Sequence, residues 1–155
     1  PEFANLRSDM HQEAIRFFED WARRGGSILE LIDSNILFVN PPLAEFYGVA
    51  DVAQDGWRRL ERAKEVGRGG ILALAATLAK NSGASRTSPI LRGTWLSEVI
   101  LGERLPKPPK NVPLLSEVAV DGLTERQLTE RHSIDDACRH CHERIDPFGF
   151  ALEGF

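Results

Sequence analysis

Cys138-Arg139-His140-Cys141-His142 contains both cysteines of this 155-residue chain and two of its four histidines. The pattern C-x-x-C-H is the attachment signature of a c-type haem. On an α-helix, positions i, i+3 and i+4 share one face, so Cys138, Cys141 and His142 would point in the same direction. Two thiols can then form thioether bonds to a porphyrin edge while the imidazole reaches the iron. The motif therefore predicts one covalently bound haem c, with His142 as an axial ligand of the iron.

Upstream of the motif, apolar residues recur at helical spacing between helix start and stop signals. Residues 6–24 carry such a face, which includes Met10 and Phe17. Further helices are predicted over residues 28–32, 41–47, 69–80, 89–101, 125–132 and, between Ser133 as N-cap and Asp146-Pro147 as its end, 133–146. Residues 35–39 suit either a buried extended segment or a helix start, and 51–68 are expected to be partly helical. The pattern predicts an all-α fold. Together with the haem motif, we expect a cytochrome c-like helical haem domain.

The length and the motif position together predict one helical c-type haem domain over residues 1–155. Residues 1–3 suggest a cloning scar, and residues 103–122 are a proline-rich extended linker inside the domain. Residues 123–155 form the haem-attachment segment. Because the motif lies near the C-terminal end, the N-terminal helices are expected to pack on the other haem face, in a rearranged topology. We expect the chain to be a fragment of a longer protein.

Charge and hydropathy argue against two classes of partner. The chain has 19 Lys and Arg against 23 Asp and Glu, with no dense basic cluster, so we expect no nucleic-acid partner. No apolar run is long enough to span a bilayer, so we expect no membrane insertion by this fragment. Covalent haem attachment takes place outside the cytoplasm, which implies a periplasmic or exported parent protein. We expect a monomer that meets a redox partner protein or domain.

The motif supplies one axial ligand, and the other must come from elsewhere in the chain. Met10 is the only methionine, and it is predicted to lie on the inward face of the first helix. His132 is an alternative, although a sharp chain reversal would be needed to bring it across the haem, and it could instead bind a propionate or cap its own helix. An open sixth position is the third possibility. Met10 is the preferred prediction, against the ordinary role of Met as a core gap-filler.

Other side chains are candidates for the surroundings of the haem. Arg86 and Arg92 flank the helix start at Ser88-Pro89 and are predicted to pair with the propionates, unless they are surface charges. Phe150 is predicted to cover a haem edge. A backbone carbonyl near Asp146-Pro147 is the expected acceptor for the second N–H of His142.

Several motifs together carry a family resemblance. They are Arg86-Thr87-Ser88-Pro89, Arg92-Gly93-x-Trp95, the prolines of residues 106–113, and the motif followed by Ile145-Asp146-Pro147-x-Gly149-Phe150-Ala151-Leu152-Glu153. With these, the chain resembles the large planctomycete-type multidomain c-type cytochromes. The resemblance implies a haem-binding, exported part of a large electron-transfer protein. The family pattern matches at Cys138, Cys141 and His142, and it also has a methionine at the position of Met10 and a histidine at that of His132.

The leading functional prediction is a mono-haem c-type cytochrome module for periplasmic electron transfer, which is not itself an enzyme. A peroxidase-like or ligand-binding haem enzyme with an open sixth position is the first alternative. A zinc or thiol redox site made from the cysteines and histidines is the second, although zinc needs four ligands and the chain has one cysteine pair.

Overall fold

Helices account for most of the residues that the computed structural model describes, which are residues 3–52, 55–107, 115 and 122–155. The all-α class is therefore confirmed at the level of secondary structure. In chain order the elements are α1 (Phe3–Arg24), α2 (Ile28–Ile32), β1 (Leu37–Val39), α3 (Pro41–Tyr47), β2 (Arg58–Leu60), a 3-10 turn (Ala63–Val66), α4 (Ala75–Lys80), α5 (Pro89–Trp95), a π-helical turn (Leu96–Ile100), α6 (Glu125–His132), α7 (Asp136–Ala151) and a 3-10 turn (Leu152–Gly154).

The chain divides into two compact units. The first unit is Pro1–Leu78 together with Phe155, and the second unit is Ala79–Gly154. The expected proline-rich linker, residues 103–122, falls mostly outside the described residues, and its described part at 103–107 contains neither helix nor strand. The assignment of a single haem domain stays a prediction. In the described parts of the chain, none of the helices combines the length and the apolarity that crossing a membrane requires.

The first unit forms its core around α1. The apolar face of this helix packs against β1 and α3, and the buried core residues are Leu6, Met10, Leu37, Val39, Leu43, Ala44, Tyr47, Val49, Ala63 and Ala75. Strands β1 and β2 pair antiparallel, with Leu37 opposite Leu60. The two open sequence alternatives are thereby resolved. Residues 37–39 are extended, and the segment expected to be partly helical contains a strand and a 3-10 turn.

The predicted helix over residues 69–80 is wrong in its first half, because α4 begins only at Ala75. Gly69 and Gly70 have φ values of 137° and 69°, which lie outside the helical region. Side chains at these positions would collide with the carbonyl oxygens of Ser34 and Ile32. The two glycines therefore lie in a turn against the end of α2. Of the apolar residues that follow, Ile71 and Leu72 are half-buried and Ala73 and Leu74 are buried, all before the helix begins.

In the second unit, α5 crosses α7 at very short distance. A Cβ atom at Gly93 would overlap the carbonyl oxygen of Ile145, and one at Gly149 would overlap that of Pro89. Glycines at both positions let the two backbones approach to direct contact. The crossing fixes α7, the helix that carries the motif, against α5.

Two sequence predictions for α7 are wrong. Its N-cap is Asp135, whose carboxylate accepts the Ala137 N–H at 2.9 Å, whereas Ser133 follows the last residue of α6. The helix also continues through Pro147 to Ala151 instead of ending there. An internal proline removes one backbone hydrogen bond and costs about 3 kcal/mol. Packing of the last turn against α5 at Gly149 offsets this cost.

Candidate functional site

The motif lies in the first two turns of α7, as its spacing predicts. Cys138 is buried, Cys141 is half-buried, and both thiols are free. His142 is 8% exposed. Since all three residues belong to one continuous helix, they share a face of it. The helix therefore presents two thiols and one imidazole side by side.

A carboxylate orients the His142 ring. The Nδ1 atom of His142 lies 2.8 Å from Oδ1 of Asp146, one helical turn later, and both side chains are buried. Which of the two atoms donates in this hydrogen bond depends on the tautomer of the His142 ring. The expected acceptor was a backbone carbonyl near Asp146-Pro147, but the partner in the structure is the Asp146 side chain. This residue was missed because Asp-Pro suggested a helix end.

The second unit also brings His132 and His142 together. Their ring centroids are 5.3 Å apart with an interplanar angle of 69°, an edge-to-face contact. His132 is the last residue of α6, and three residues separate it from α7, so the short connection keeps the two rings close together. Burial lowers the pKa of His132, and the neighbouring His142 lowers it further while Asp146 opposes both. His132 is therefore favoured in its neutral form, which can ligate a metal.

A cavity of about 430 Å³ lies beside His142. Its lining combines apolar side chains with two arginines and two carboxylates, and it consists of Arg126, Ser133, Arg139, His142, Glu143, Asp146, Pro147 and Phe150. Phe150, predicted to cover a haem edge, is thus part of the wall next to the motif. The Cζ atom of the Arg126 guanidinium lies 4.7 Å from the centroid of the Phe150 ring. Arg126 and Arg139 were not among the site residues predicted from the sequence. Arg139 precedes His142 by three positions, a usable signal, but Arg126 reaches the cavity from another helix.

Arg86 and Arg92, the predicted propionate partners, lie in ion pairs within the second unit. Arg92 is only 3% exposed and donates to the Leu152 carbonyl at 2.7 Å and to Glu153 at 2.9 Å. Arg86 pairs with Glu125 at the start of α6. The Arg92 contacts connect α5 to the 3-10 turn that follows α7, and the Arg86 contact connects the loop before α5 to α6. Binding of propionates by either arginine stays a prediction.

Met10 lies in the core of the first unit, where it is 5% exposed among Leu6, Leu37 and Leu43. The motif belongs to the second unit. The structure thus gives Met10 a packing role, and its role as axial ligand stays a prediction. Among the described residues, no three His, Cys, Asp or Glu side chains are grouped as metal ligands.

The first unit contains a buried acid that was not predicted from the sequence. Glu13 is 1% exposed, and one of its oxygens accepts the Tyr47 hydroxyl hydrogen at 2.6 Å. The other carboxylate oxygen is buried without a hydrogen-bond partner. Burial raises the pKa of Glu13 to about 7, against the opposing effects of Tyr47 and Arg68. The position of Glu13 one turn after Met10 on α1 was the available signal.

Two family models match the chain. Residues 68–155, more than half of the chain, match PSCyt3, described as "Protein of unknown function (DUF1588)". Residues 1–49 match PSD4, described as "Protein of unknown function (DUF1592)". Both are domains of the planctomycete-type cytochrome-like families. No curated protein and no solved structure matches the chain.

Proposed function

This chain belongs to the PSCyt3 family, and from that premise we propose that it is a mono-haem c-type cytochrome module that transfers electrons in the periplasm or another exported location. The observation that carries the proposal is the arrangement on α7. Cys138, Cys141 and His142 share one helix face, and Asp146 holds the His142 ring with Nε2 available as a ligand atom.

The residues around the motif fit a haem. Both thiols are free for thioether bonds, and the neighbouring cavity has apolar walls at Pro147 and Phe150. Haem iron would supply a one-electron couple. The chain would hold the porphyrin through Cys138 and Cys141, coordinate through His142, and shield one edge from water with Phe150. The basic side chains at the cavity suit the negatively charged propionates.

Electron transfer commonly uses a second protein ligand on the iron. Met10 and His132 are the two candidates for it. An exposed haem edge would then meet a redox partner protein or domain, with the reduction potential set by the axial pair, burial and hydrogen bonds.

Covalent attachment is the first property to test. The chain is produced in cells that attach haem c outside the cytoplasm, and haem is stained on denaturing gels. We expect wild-type chain to retain haem, and the double variant Cys138→Ser, Cys141→Ser to lose it entirely. His140→Ala, a substitution inside the motif but off the shared face, is the matched control and should retain it. Release of haem by denatured wild-type chain would overturn the proposal.

One observation favours a second candidate, a peroxidase-like or ligand-binding haem site with an open sixth position. A carboxylate hydrogen-bonded to the axial imidazole raises the basicity of that ligand. The two functions differ in how the ferrous form treats carbon monoxide. Rapid, complete binding would support the open site, whereas slow binding limited by ligand dissociation would support electron transfer.

A further inference from the structure

We infer that Asp146 is a positioning residue for the iron ligand: it fixes which nitrogen of His142 is free, and its charge lowers the reduction potential of the bound iron. The first part concerns the protein chain alone. The second part rests on the proposed function, because it requires a haem.

The geometry supports the fixed tautomer. Asp146 follows His142 by four positions, so both side chains lie on one face of α7 and meet without distorting the helix. The distance of 2.8 Å is that of a charge-assisted hydrogen bond. The His132 ring packs edge-on against His142 at 5.3 Å and restricts rotation of the imidazole from a second side. His142 is therefore held in one orientation, with Nδ1 bonded to Asp146.

Burial makes the Asp146 charge effective. The side chain is 7% exposed, and charges away from solvent are weakly screened. A carboxylate that accepts from the far N–H of an iron-bound imidazole increases the donation of the ring to iron and stabilises the ferric state more than the ferrous state. Basic groups at the same cavity, Arg126 from α6 and Arg139 from α7, act in the opposite direction. Arg126 pairs with Glu130 and Arg139 with Asp136, whereas Asp146 contacts His142 directly at 2.8 Å.

The tautomer can be measured without haem. Nitrogen-15 NMR of the haem-free chain, at a pH where the imidazoles are neutral, distinguishes protonated from unprotonated ring nitrogens. We expect His142 to carry its proton on Nδ1 in the wild-type chain and to lose this preference in Asp146→Ala. A wild-type His142 protonated on Nε2 would overturn the inference, and this measurement needs no variant to fold.

The charge is tested on the haem-loaded chain by potentiometric titration. Asp146→Asn keeps an acceptor oxygen but removes the charge, so we expect an upward shift of the potential. Glu143→Gln is the matched control, since it removes a negative charge next to His142 without touching the hydrogen bond, and it should shift the potential much less. Equal shifts in both variants, or none in Asp146→Asn, would overturn the role of Asp146.

Failure of the proposed function and failure of the inference about Asp146 give different results. A chain that shows the Nδ1 tautomer but retains no haem after maturation contradicts the proposed function. A chain that retains haem but keeps its potential in Asp146→Asn contradicts the inference alone.

Discussion

Met10 is a core residue of the first unit, and this determines how its proposed ligand role has to be tested. Replacing a methionine in a protein core with alanine typically costs about 2–5 kcal/mol of stability. Loss of a spectral band in Met10→Ala could then come from unfolding instead of ligand loss. A substitution that keeps volume but removes sulfur separates the two effects.

We predict that Met10→Leu destabilises the haem-free chain by less than about 1.5 kcal/mol, because leucine conserves the apolar volume. If Met10 is the sixth ligand, the same substitution abolishes the sulfur-to-iron charge-transfer band in the near infrared of the haem-loaded chain. His132→Ala is the parallel variant. A wild-type spectrum without that band rules out Met10 as the sixth ligand. If the ferric wild-type spectrum is low-spin and becomes high-spin only in His132→Ala, the sixth ligand is His132.

At the scale of elements, the α5–α7 crossing is what holds the motif helix. We predict that Gly149→Ala destabilises the second unit by about 3 kcal/mol or more, the upper range for overpacking, because the added Cβ meets backbone that cannot rotate away. Urea denaturation measures this loss. Gly154→Ala is the matched control, since its Cβ would meet no atom within 4 Å, and we expect a change within about 0.5 kcal/mol. A tolerated Gly149→Ala would contradict the close crossing.

Helix signals were predictable where they are local. Asn40 caps α3 with its side chain, Gly48 ends that helix with a φ of 69°, and Thr124 opens α6 with a complete capping box. The predictions failed where tertiary contact decides. Helix α7 passes through Pro147 because α5 packs on its last turn, and a sequence pattern does not contain that contact.

Across the whole molecule, the motif identifies three candidate site residues directly, because their spacing is short. The rest of the site depends on how α6 meets α7. His132 reaches His142 only through a three-residue reversal, and Arg126 reaches the cavity from the far end of α6. Such contacts between elements leave no periodic trace in the sequence. The burial of Glu13 also depends on a contact between distant elements, since its partner Tyr47 lies 34 positions away.

Glu13 makes the stability of the first unit depend on pH. Its pKa is about 7 in the folded chain against 4.5 as the ordinary value, so the folded state holds the proton more tightly. The stabilisation that protonated Glu13 contributes to the folded state is complete below pH 4.5 and is lost as pH rises through 7. The loss is about 3 kcal/mol in total. Glu13→Gln should remove this slope from denaturation curves recorded between pH 5 and 8, while the exposed control Glu19→Gln keeps it. A wild-type chain whose unfolding free energy does not fall over this range would show that Glu13 is ionised when folded.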